Sequence, residues 1–240
     1  MHVHLIEGEA GCRYAVDHAY VAVVVDALRA SATAAMLLHA GAERLLVVRT
    51  VDDAFAAKRE MPDVLLFGER GGLPPDGFDF GNSPQTVSAA KGRHVVFTTT
   101  TGAQRLVSCW GARTVYMGTT TNASAVIRAA TAHDTDIVII PAGLHGDPDF
   151  NAQEDWVAGA YLAKITGLPV GEGKDLCAYW ERRIEDEGLP LLFANAPHAE
   201  KLRAVNLESD ISWCARVDVT GAIPTVIART ELGVIVHNAM

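Results

Sequence analysis

The stretch that decides the fold is YVAVVVDALRAS, residues 20–31. It places five consecutive apolar residues, 21–25, directly before Asp26, and an alanine-rich stretch at helical spacing follows over 31–39. A short β-branched run of this kind predicts a buried strand, and the stretch after it predicts a helix. The segment is therefore a predicted strand–loop–helix unit, with Asp26 at the carboxyl end of the strand.

The same unit recurs outward along the chain. Further strands are predicted over residues 44–48, 64–67, 94–97, 114–117 and 136–140, and further helices over 51–58, 102–109 and 123–133. Strands that alternate with helices are typical of α/β proteins. We therefore predict a layered α/β/α fold, with a largely parallel or mixed sheet built from βαβ units.

The domain prediction is a single α/β domain over residues 1–240, because no low-complexity linker interrupts the chain. The composition changes at about residue 166, where glycine and proline precede a charged predicted helix over 175–187. A smaller, more helical C-terminal lobe could begin there. Residues 212–217 and 225–227 are predicted to be late strands that join the sheet.

Composition and charge exclude several classes of protein. Hydrophobic residues make up 49% of the chain, as in a compact globular protein, and the formal net charge is −9. No block of lysine and arginine is present, so we expect no nucleic-acid partner. A small anionic ligand remains compatible, because a few local arginines or a cation can make one cleft positive.

The expected location is the cytoplasm. The four cysteines are far apart and include no C-x-x-C pair, which favours reduced thiols. The apolar runs are shorter than the roughly 20 residues that cross a bilayer, so no membrane association is expected. The N-terminal MHVHLIEGEA has an acidic residue where an export signal would be apolar.

Candidate chemistry follows the predicted strands, because ligands of open α/β sheets bind beyond the carboxyl ends of the strands. Asp26 is either a helix N-cap or a metal ligand or nucleophile for phosphoryl transfer. Arg29 and Ser31, next to a helix N-terminus, suit a phosphate group. Glu69 and Arg70 lie between glycines at another strand end.

Three further segments carry polar candidates. Asn82 and Ser83 lie in GFDFGNSP, which can donate to an anion but also predicts a helix beginning at 83–84. The threonines at 98–101 precede a helix and offer an anion cradle in outline. The adjacent carboxylates Glu154 and Asp155 either complement a helix dipole or bind Mg²⁺.

Several familiar catalytic motifs are absent from the sequence. It contains no G-x-x-x-x-G-K-[ST] loop, which removes support for nucleotide hydrolysis. It also has no HExxH pair and no G-x-S-x-G elbow, so zinc-hydrolase and serine-hydrolase readings are disfavoured.

Six ordered motifs together resemble one family. They are VVVDALRASAT, LLFGERGG, GFDFGNSP, FTTTTGAQRL, GTTTNASAV and QEDWVAGA, and the later segment HAEKLRAVNLESDISWCARVD continues the similarity. This series is similar to that of the 2-phosphosulfolactate phosphatase family. The resemblance implies a magnesium-dependent phosphatase that converts 2-phospho-3-sulfolactate to 3-sulfolactate and phosphate. It also makes a homodimer plausible.

The resemblance also implies a set of site residues. The implied catalytic residues are Asp26, Arg29, Glu69 and Arg70, and the implied substrate-binding residues are Ser31, Asn82, Ser83, Thr99, Thr100 and Asn122. The implied Mg²⁺ ligands are Asp26, Glu69, Glu154 and Asp155. One segment departs from the family, whose threonine loop typically reads TTNGT, because this chain has Thr101 and Ala103 instead of the asparagine and the final threonine.

Two alternatives accompany this hypothesis. The substrate could be another small 2-phospho-acid, such as phospholactate or phosphoglycolate. The chain could also be a non-catalytic protein that binds a phosphorylated metabolite. Carboxylates beside arginines favour catalysis, since a passive anion site gains from extra negative charge only when a cation is present.

Overall fold

The computed structural model describes residues 1–239 and contains a nine-stranded sheet. The strands are β1 (Val3–Leu5), β2 (Val21–Val25), β3 (Arg44–Val48), β4 (Leu65–Gly68), β5 (His94–Thr98), β6 (Thr114–Met117), β7 (Ile137–Pro141), β8 (Pro224–Arg229) and β9 (Gly233–Asn238). The helices are α1 (Gly8–Asp17), α2 (Ala30–His39), α3 (Val51–Glu60), α4 (Gly102–Ser108), α5 (Ala123–Thr131), α6 (Gln153–Thr166), α7 (Lys174–Glu187), α8 (Leu189–Ala194), α9 (Pro197–Ala204) and α10 (Glu208–Cys214).

The sheet has the order β1-β7-β2-β6-β8-β9-β3-β5-β4. The first four of these strands are mutually parallel, and the last three are also mutually parallel. The antiparallel hairpin β8–β9 joins the two groups. The predicted α/β fold with a largely parallel or mixed sheet is confirmed.

Strand β2 shows why the helices form layers. All five of its side chains are buried, and successive side chains of a strand point to opposite faces. Val21, Val23 and Val25 pack in a core cluster with residues of α5 to α10, whereas Ala22 and Val24 pack in a second cluster with α1, α2 and α4. The predicted α/β/α layering is therefore present around this strand.

Both parallel groups contribute to one core cluster, which explains how distant strands meet. Val24 of β2 and Met117 of β6 share that cluster with Leu45 of β3 and Phe97 of β5. Residues of α2 and α4 pack in the same cluster. Gly102 N, at the start of α4, donates a hydrogen bond to Asp26 Oδ2 at 2.9 Å, so the segments after β5 and β2 meet.

The C-terminal third contributes to the same architecture. Phe193, Leu202 and Ile211, from α8, α9 and α10, share a core cluster with β1, β2 and β7. The predicted strand at 225–227 is confirmed, because it lies within β8. The predicted strand at 212–217 is wrong, because residues 212–214 are the end of α10 and residues 215–217 form no strand. Ile211 and Cys214 are buried at helical spacing and dock this helix on the core.

Two other local predictions differ from the structure. No helix begins at 83–84, since the Ser83 hydroxyl donates to Asp210 Oδ1 and the following residues form turns. Helix α1 was not predicted, because two glycines among its first four residues lower its helix propensity. Within residues 1–239, no helix combines the length and apolarity needed to cross a membrane.

Candidate active site

A cavity of about 520 Å³ opens at the carboxyl ends of β2, β4, β5 and β7. Helix α9 closes the side of the cavity opposite the strand ends. The lining residues are Asp26, Leu28, Arg29, Glu69, Gly71, Gly72, Asn82, Thr100, Thr101, Leu144, His145, His198, Lys201, Leu202 and Ala204. The strand-end rule therefore locates one wall of this cavity, and α9 adds a wall that the rule does not predict.

Main-chain amides hold the Asp26 carboxylate in one orientation. Oδ1 accepts a hydrogen bond from Ala30 N at 3.1 Å, and Oδ2 accepts one from Gly102 N at 2.9 Å. Ser31 is fully buried and does not line the cavity, but its Oγ accepts a hydrogen bond from Asp26 N at 3.0 Å. Ser31 therefore positions Asp26 from behind.

The contact between Asp26 and α4 requires a glycine at residue 102. A Cβ atom at Gly102 would lie 2.7 Å from Asp26 Oδ2 and 2.8 Å from Ala30 Cβ. Both distances are shorter than real Cβ contacts allow. The close approach of α4 to the loop after β2 thus depends on Gly102.

Burial raises the pKa of Asp26 from 3.8 to about 6. The hydrogen bond from Ala30 and the nearby His198 oppose this rise, whereas the carboxylates of Glu69 and Glu154 add to it. A cluster of carboxylates withdrawn from water favours a proton or a cation as a partner. Asp26 therefore lies where negative charge is concentrated.

Glu69 links the ends of β4 and β5. Its Oε1 accepts a hydrogen bond from Thr100 N at 2.7 Å, and its Oε2 accepts one from Gly72 N at 2.9 Å. Thr99 is buried and caps α4 by accepting a hydrogen bond from Ala103 N at 3.0 Å. Among the threonines at 98–101, Thr100 and Thr101 line the cavity, and Thr99 does not.

Arg29 reaches the cavity but is anchored by a residue that the sequence did not suggest. Its Nη1 donates to Asp210 Oδ2 at 2.6 Å, and its Nη2 donates to Gly72 O at 2.8 Å. Asp210 is 1% exposed and also accepts hydrogen bonds from Ser83 and Gln85. Ser83 therefore fastens a loop to α10 instead of lining the cavity.

The two asparagines lie in different environments. Asn82 lines the cavity, and its buried Oδ1 has no hydrogen-bond partner within residues 1–239. Asn122 is fully buried away from the cavity, where Nδ2 donates to Met117 O and Ala222 O and Oδ1 accepts from Thr119 N. Asn122 thus satisfies main-chain groups next to β6 and β8.

The adjacent acids Glu154 and Asp155 have different surroundings. Asp155 accepts hydrogen bonds from Ala27 N at 2.7 Å and Gly143 N at 3.1 Å, which joins the loops after β2 and β7. Burial raises the pKa of Asp155 well above its usual value, and the charges of Glu154 and Asp26 add to the rise. Glu154 Oε1 is hydrogen-bonded to His198 Nδ1, whereas the buried Oε2 has no partner within residues 1–239.

Helix α9 contributes two site residues that sequence reasoning missed. His198 and Lys201 lie three positions apart and line the cavity from the same helix face. Phe150 supports both, because its ring centroid lies 4.5 Å from that of His198 and 4.0 Å from Lys201 Nζ. The available signal was the i, i+3 spacing of two basic side chains in HAEKLRAV.

The carboxylates fit a hard cation that keeps part of its water shell. No three His, Cys, Asp or Glu side chains within residues 1–239 form a ready-made metal cage. Glu154 nevertheless has a buried oxygen without a partner, and Asp26, Glu69 and Glu154 interact electrostatically. Mg²⁺ commonly binds through one or two carboxylates together with water and substrate phosphate. The carboxylates of this site are compatible with that mode of Mg²⁺ binding.

The cavity thus combines carboxylates with Arg29, His198 and Lys201, a composition suited to a phosphate ester. The family model described as 2-phosphosulpholactate phosphatase matches residues 11–228. The chain belongs to the 2-phosphosulfolactate phosphatase family. A relative from Deinococcus radiodurans, described as a probable 2-phosphosulfolactate phosphatase, is 39% identical over 88% of this chain and 90% of its own length.

Two more relatives of the 2-phosphosulfolactate phosphatase family have the same description. The protein from Carboxydothermus hydrogenoformans is 31% identical over 84% of each chain. The protein from Pseudothermotoga lettingae is 32% identical over 88% of this chain and 92% of its own length. The likeness therefore covers most of the fold described above.

The two residues that differ from the family's threonine loop, Thr101 and Ala103, lie in different environments. Thr101 lines the cavity, and its Oγ1 accepts a hydrogen bond from His145 N at 3.0 Å. Ala103 is fully buried in the core cluster around α4 and does not line the cavity. Of the two substitutions, only the one at residue 101 changes a group on the cavity wall.

Proposed function

We propose that the chain is a magnesium-dependent phosphatase that hydrolyses the phosphate ester of a small 2-hydroxy acid, with 2-phospho-3-sulfolactate as the first candidate substrate. Membership of the family supports phosphatase chemistry, and the relatives' descriptions name this substrate. The observation that carries the proposal is the single cavity where Asp26, Glu69, Arg29, His198 and Lys201 meet.

The positive groups on the wall suit the phosphoryl group. Arg29 is held in place by Asp210 and Gly72, so its remaining N–H donors are presented on a rigid support. Lys201 adds a second positive charge, and His198 is oriented through Nδ1 by Glu154. Fixed donors around a transferring phosphoryl group stabilise the charge of its transition state.

The carboxylates suit the metal. We assign Asp26, Glu154 and Glu69 as the Mg²⁺ ligands, because the charges of Glu69 and Glu154 both act on Asp26 and one buried oxygen of Glu154 has no partner within residues 1–239. When bound, Mg²⁺ would neutralise charge on phosphate oxygens. Asp155 differs from these three, because both of its oxygens accept main-chain hydrogen bonds and it is 2% exposed. We infer that Asp155 positions the two loops that it joins.

The amides around Asp26 and Glu69 keep the acidic side of the cavity rigid. Each carboxylate accepts two main-chain N–H groups from different loops. An oxygen that accepts one hydrogen bond retains a further lone pair for a cation or water. Rigid placement lets a site bind the reacting group without reorganisation at the moment of reaction.

The test is phosphate release by the purified protein from 2-phosphosulfolactate, phospholactate and phosphoglycolate, with Mg²⁺ and with a chelator. We expect chelator-sensitive release, fastest with 2-phosphosulfolactate. Faster turnover of another ester would change the substrate assignment and keep the phosphatase. Binding of all three esters without phosphate release would support a binding protein and overturn the proposal.

A further inference from the structure

A second, open cavity of about 400 Å³ adjoins the first. Thr100 and His145 line both cavities, so the two spaces meet at these residues. The second cavity extends toward the start of α3, where Arg49 and Arg70 form part of its wall. The two arginines therefore lie on the wall of a cavity that shares Thr100 and His145 with the first cavity.

The guanidinium of Arg70 is fixed by oxygens that carry no formal charge. It donates from Nη1 to Glu69 O at 2.6 Å, and from Nη2 to Arg49 O at 3.2 Å and Thr98 Oγ1 at 3.0 Å. A guanidinium has five N–H donors, so two remain for a ligand.

Arg49 supplies a second positive charge on the same wall. Its side chain is exposed and donates to Ser108 Oγ at 3.2 Å, and its carbonyl is held by Gln104 Nε2 at 2.9 Å. Among residues 1–239, neither Arg49 nor Arg70 forms an ion pair with a carboxylate. Asp52 is the acid on this wall, so the two arginines leave it net positive.

Thr100 lies where the two cavities adjoin, and its hydroxyl lacks a hydrogen-bond partner within residues 1–239. Its main-chain N–H donates to Glu69, which belongs to the first cavity, whereas its Oγ1 is buried without a hydrogen-bond partner within the described chain. The junction thus has polar groups on both sides.

We propose that the second cavity is a subsite for a second acid group of the substrate, a sulfonate or a carboxylate, and that Arg49 and Arg70 bind it while the phosphate occupies the first cavity. This inference rests on the proposed phosphatase function. Guanidinium groups suit planar or trigonal arrays of acid oxygens, because they donate two parallel hydrogen bonds. Arg49 then determines specificity without taking part in bond cleavage.

The kinetic test compares four esters that differ in their acid groups. 2-Phosphosulfolactate carries both a carboxylate and a sulfonate. Phospholactate carries only the carboxylate, phosphooxyethanesulfonate carries only the sulfonate, and ethyl phosphate carries neither. Arg49→Met should raise KM about tenfold to a hundredfold for the esters that have the bound group, through loss of charge-assisted hydrogen bonds. Ethyl phosphate turnover should be unchanged, and Arg49→Lys should be intermediate.

The control is Arg59→Met, which removes the same charge from an exposed position at the far end of α3. It should leave all four KM values unchanged. An equal loss for ethyl phosphate and the acidic esters in Arg49→Met would show a general or structural effect and overturn the subsite. No change for any ester would overturn it as well.

A binding measurement separates this inference from the proposed function. Titration calorimetry with 3-sulfolactate, which has no phosphate, should show weaker binding to Arg49→Met than to the Arg59→Met control. If the protein released no phosphate from any ester, this difference would still support the subsite. Equal binding by both variants would overturn the subsite and leave the phosphatase proposal intact.

Discussion

The guanidinium of Arg29 donates from Nη1 to Oδ2 of Asp210 at 2.6 Å, across 181 residues of sequence. The Arg29 side chain is 2% exposed and the Asp210 side chain is 1% exposed, so the pair is almost fully withdrawn from water. The other oxygen of Asp210 accepts hydrogen bonds from Ser83 and Gln85. One carboxylate on α10 therefore fixes the loop after β2 and the loop after β4.

Removing one partner of this pair should destabilise the protein strongly. Asp210→Ala and Arg29→Ala each leave a buried charge uncompensated, and we expect each to cost about 3–5 kcal/mol of unfolding free energy. The double variant Arg29→Met/Asp210→Leu should recover part of this loss but no turnover. Urea unfolding followed by circular dichroism measures the changes.

The control for this prediction is the exposed pair of Lys164 and Glu185. Glu185→Ala should leave the urea midpoint nearly unchanged, because exposed ion pairs contribute little. If Asp210→Ala unfolded at the same urea concentration as Glu185→Ala, the buried pair of Arg29 and Asp210 would not stabilise the fold as predicted.

The sequence locates two acids of the candidate site at strand ends. Asp26 and Glu69 directly follow the buried strands β2 and β4, and ligands of open α/β sheets bind beyond the carboxyl ends of the strands. Ser31 and Asn122 occupy similar positions in the sequence but lie away from the cavity. Whether a polar side chain at a strand end meets solvent or a main-chain group depends on packing that local sequence does not encode.

The basic side of the site could not be predicted in the same way. His198 and Lys201 lie on α9, which follows no strand and packs on the core through Ala199 and Leu202. Helix α10 was also missed, since half of the strand predicted over residues 212–217 lies in this helix. The burial of Ile211 and Cys214 against the core favours the helix instead.

Gly102→Ala should disturb the site through steric overlap. The new Cβ would lie 2.7 Å from Asp26 Oδ2, so we expect Asp26 to move and lose the hydrogen bond from residue 102. The expected cost is about 1–3 kcal/mol of unfolding free energy, as for an overpacked core. Turnover should fall because Asp26 is displaced.

A matched control is Gly221→Ala, because no heavy atom lies within 4 Å of a Cβ at that position. Thermal unfolding and phosphate release should both be close to wild type in this variant. Wild-type behaviour of Gly102→Ala itself would mean that α4 can shift without affecting Asp26.

Glu154→Gln should weaken Mg²⁺ binding. The substitution keeps the size of the side chain but removes a charge next to the oxygen that has no partner. We expect calorimetric titration with MgCl₂ to show an affinity at least about tenfold weaker than that of the wild type, because mutating a metal ligand or its supporting group typically weakens metal binding by this factor. Glu208→Gln changes an exposed carboxylate on α10 and should leave the affinity unchanged. Equal affinities for the two variants would remove Glu154 from the metal site.

Asp26→Asn should reduce turnover about 10²-fold or more while the protein remains folded, because a group that contacts the reacting phosphate or its cation is lost.

The effect of Asp26→Asn on the stability of the protein should depend on pH. Burial raises the pKa of Asp26 to about 6 in the folded protein, against an ordinary value of 3.8, so the folded state favours the neutral acid. Its contribution to stability is complete below about pH 4 and is lost as the pH rises through about 6.

In chelator, Asp26→Asn should therefore gain stability relative to wild type between pH 4 and 6, by up to about 3 kcal/mol, and the difference should stay constant at higher pH. Thermal unfolding of both proteins from pH 4 to 8 measures it. Asp136→Asn is the opposing control, since hydrogen bonds from His2 and His4 overcome burial and lower the pKa of Asp136. That variant should lose stability relative to wild type as the pH rises through the acidic range. A pH-independent difference for Asp26→Asn would show that burial does not hold this carboxyl in its neutral form.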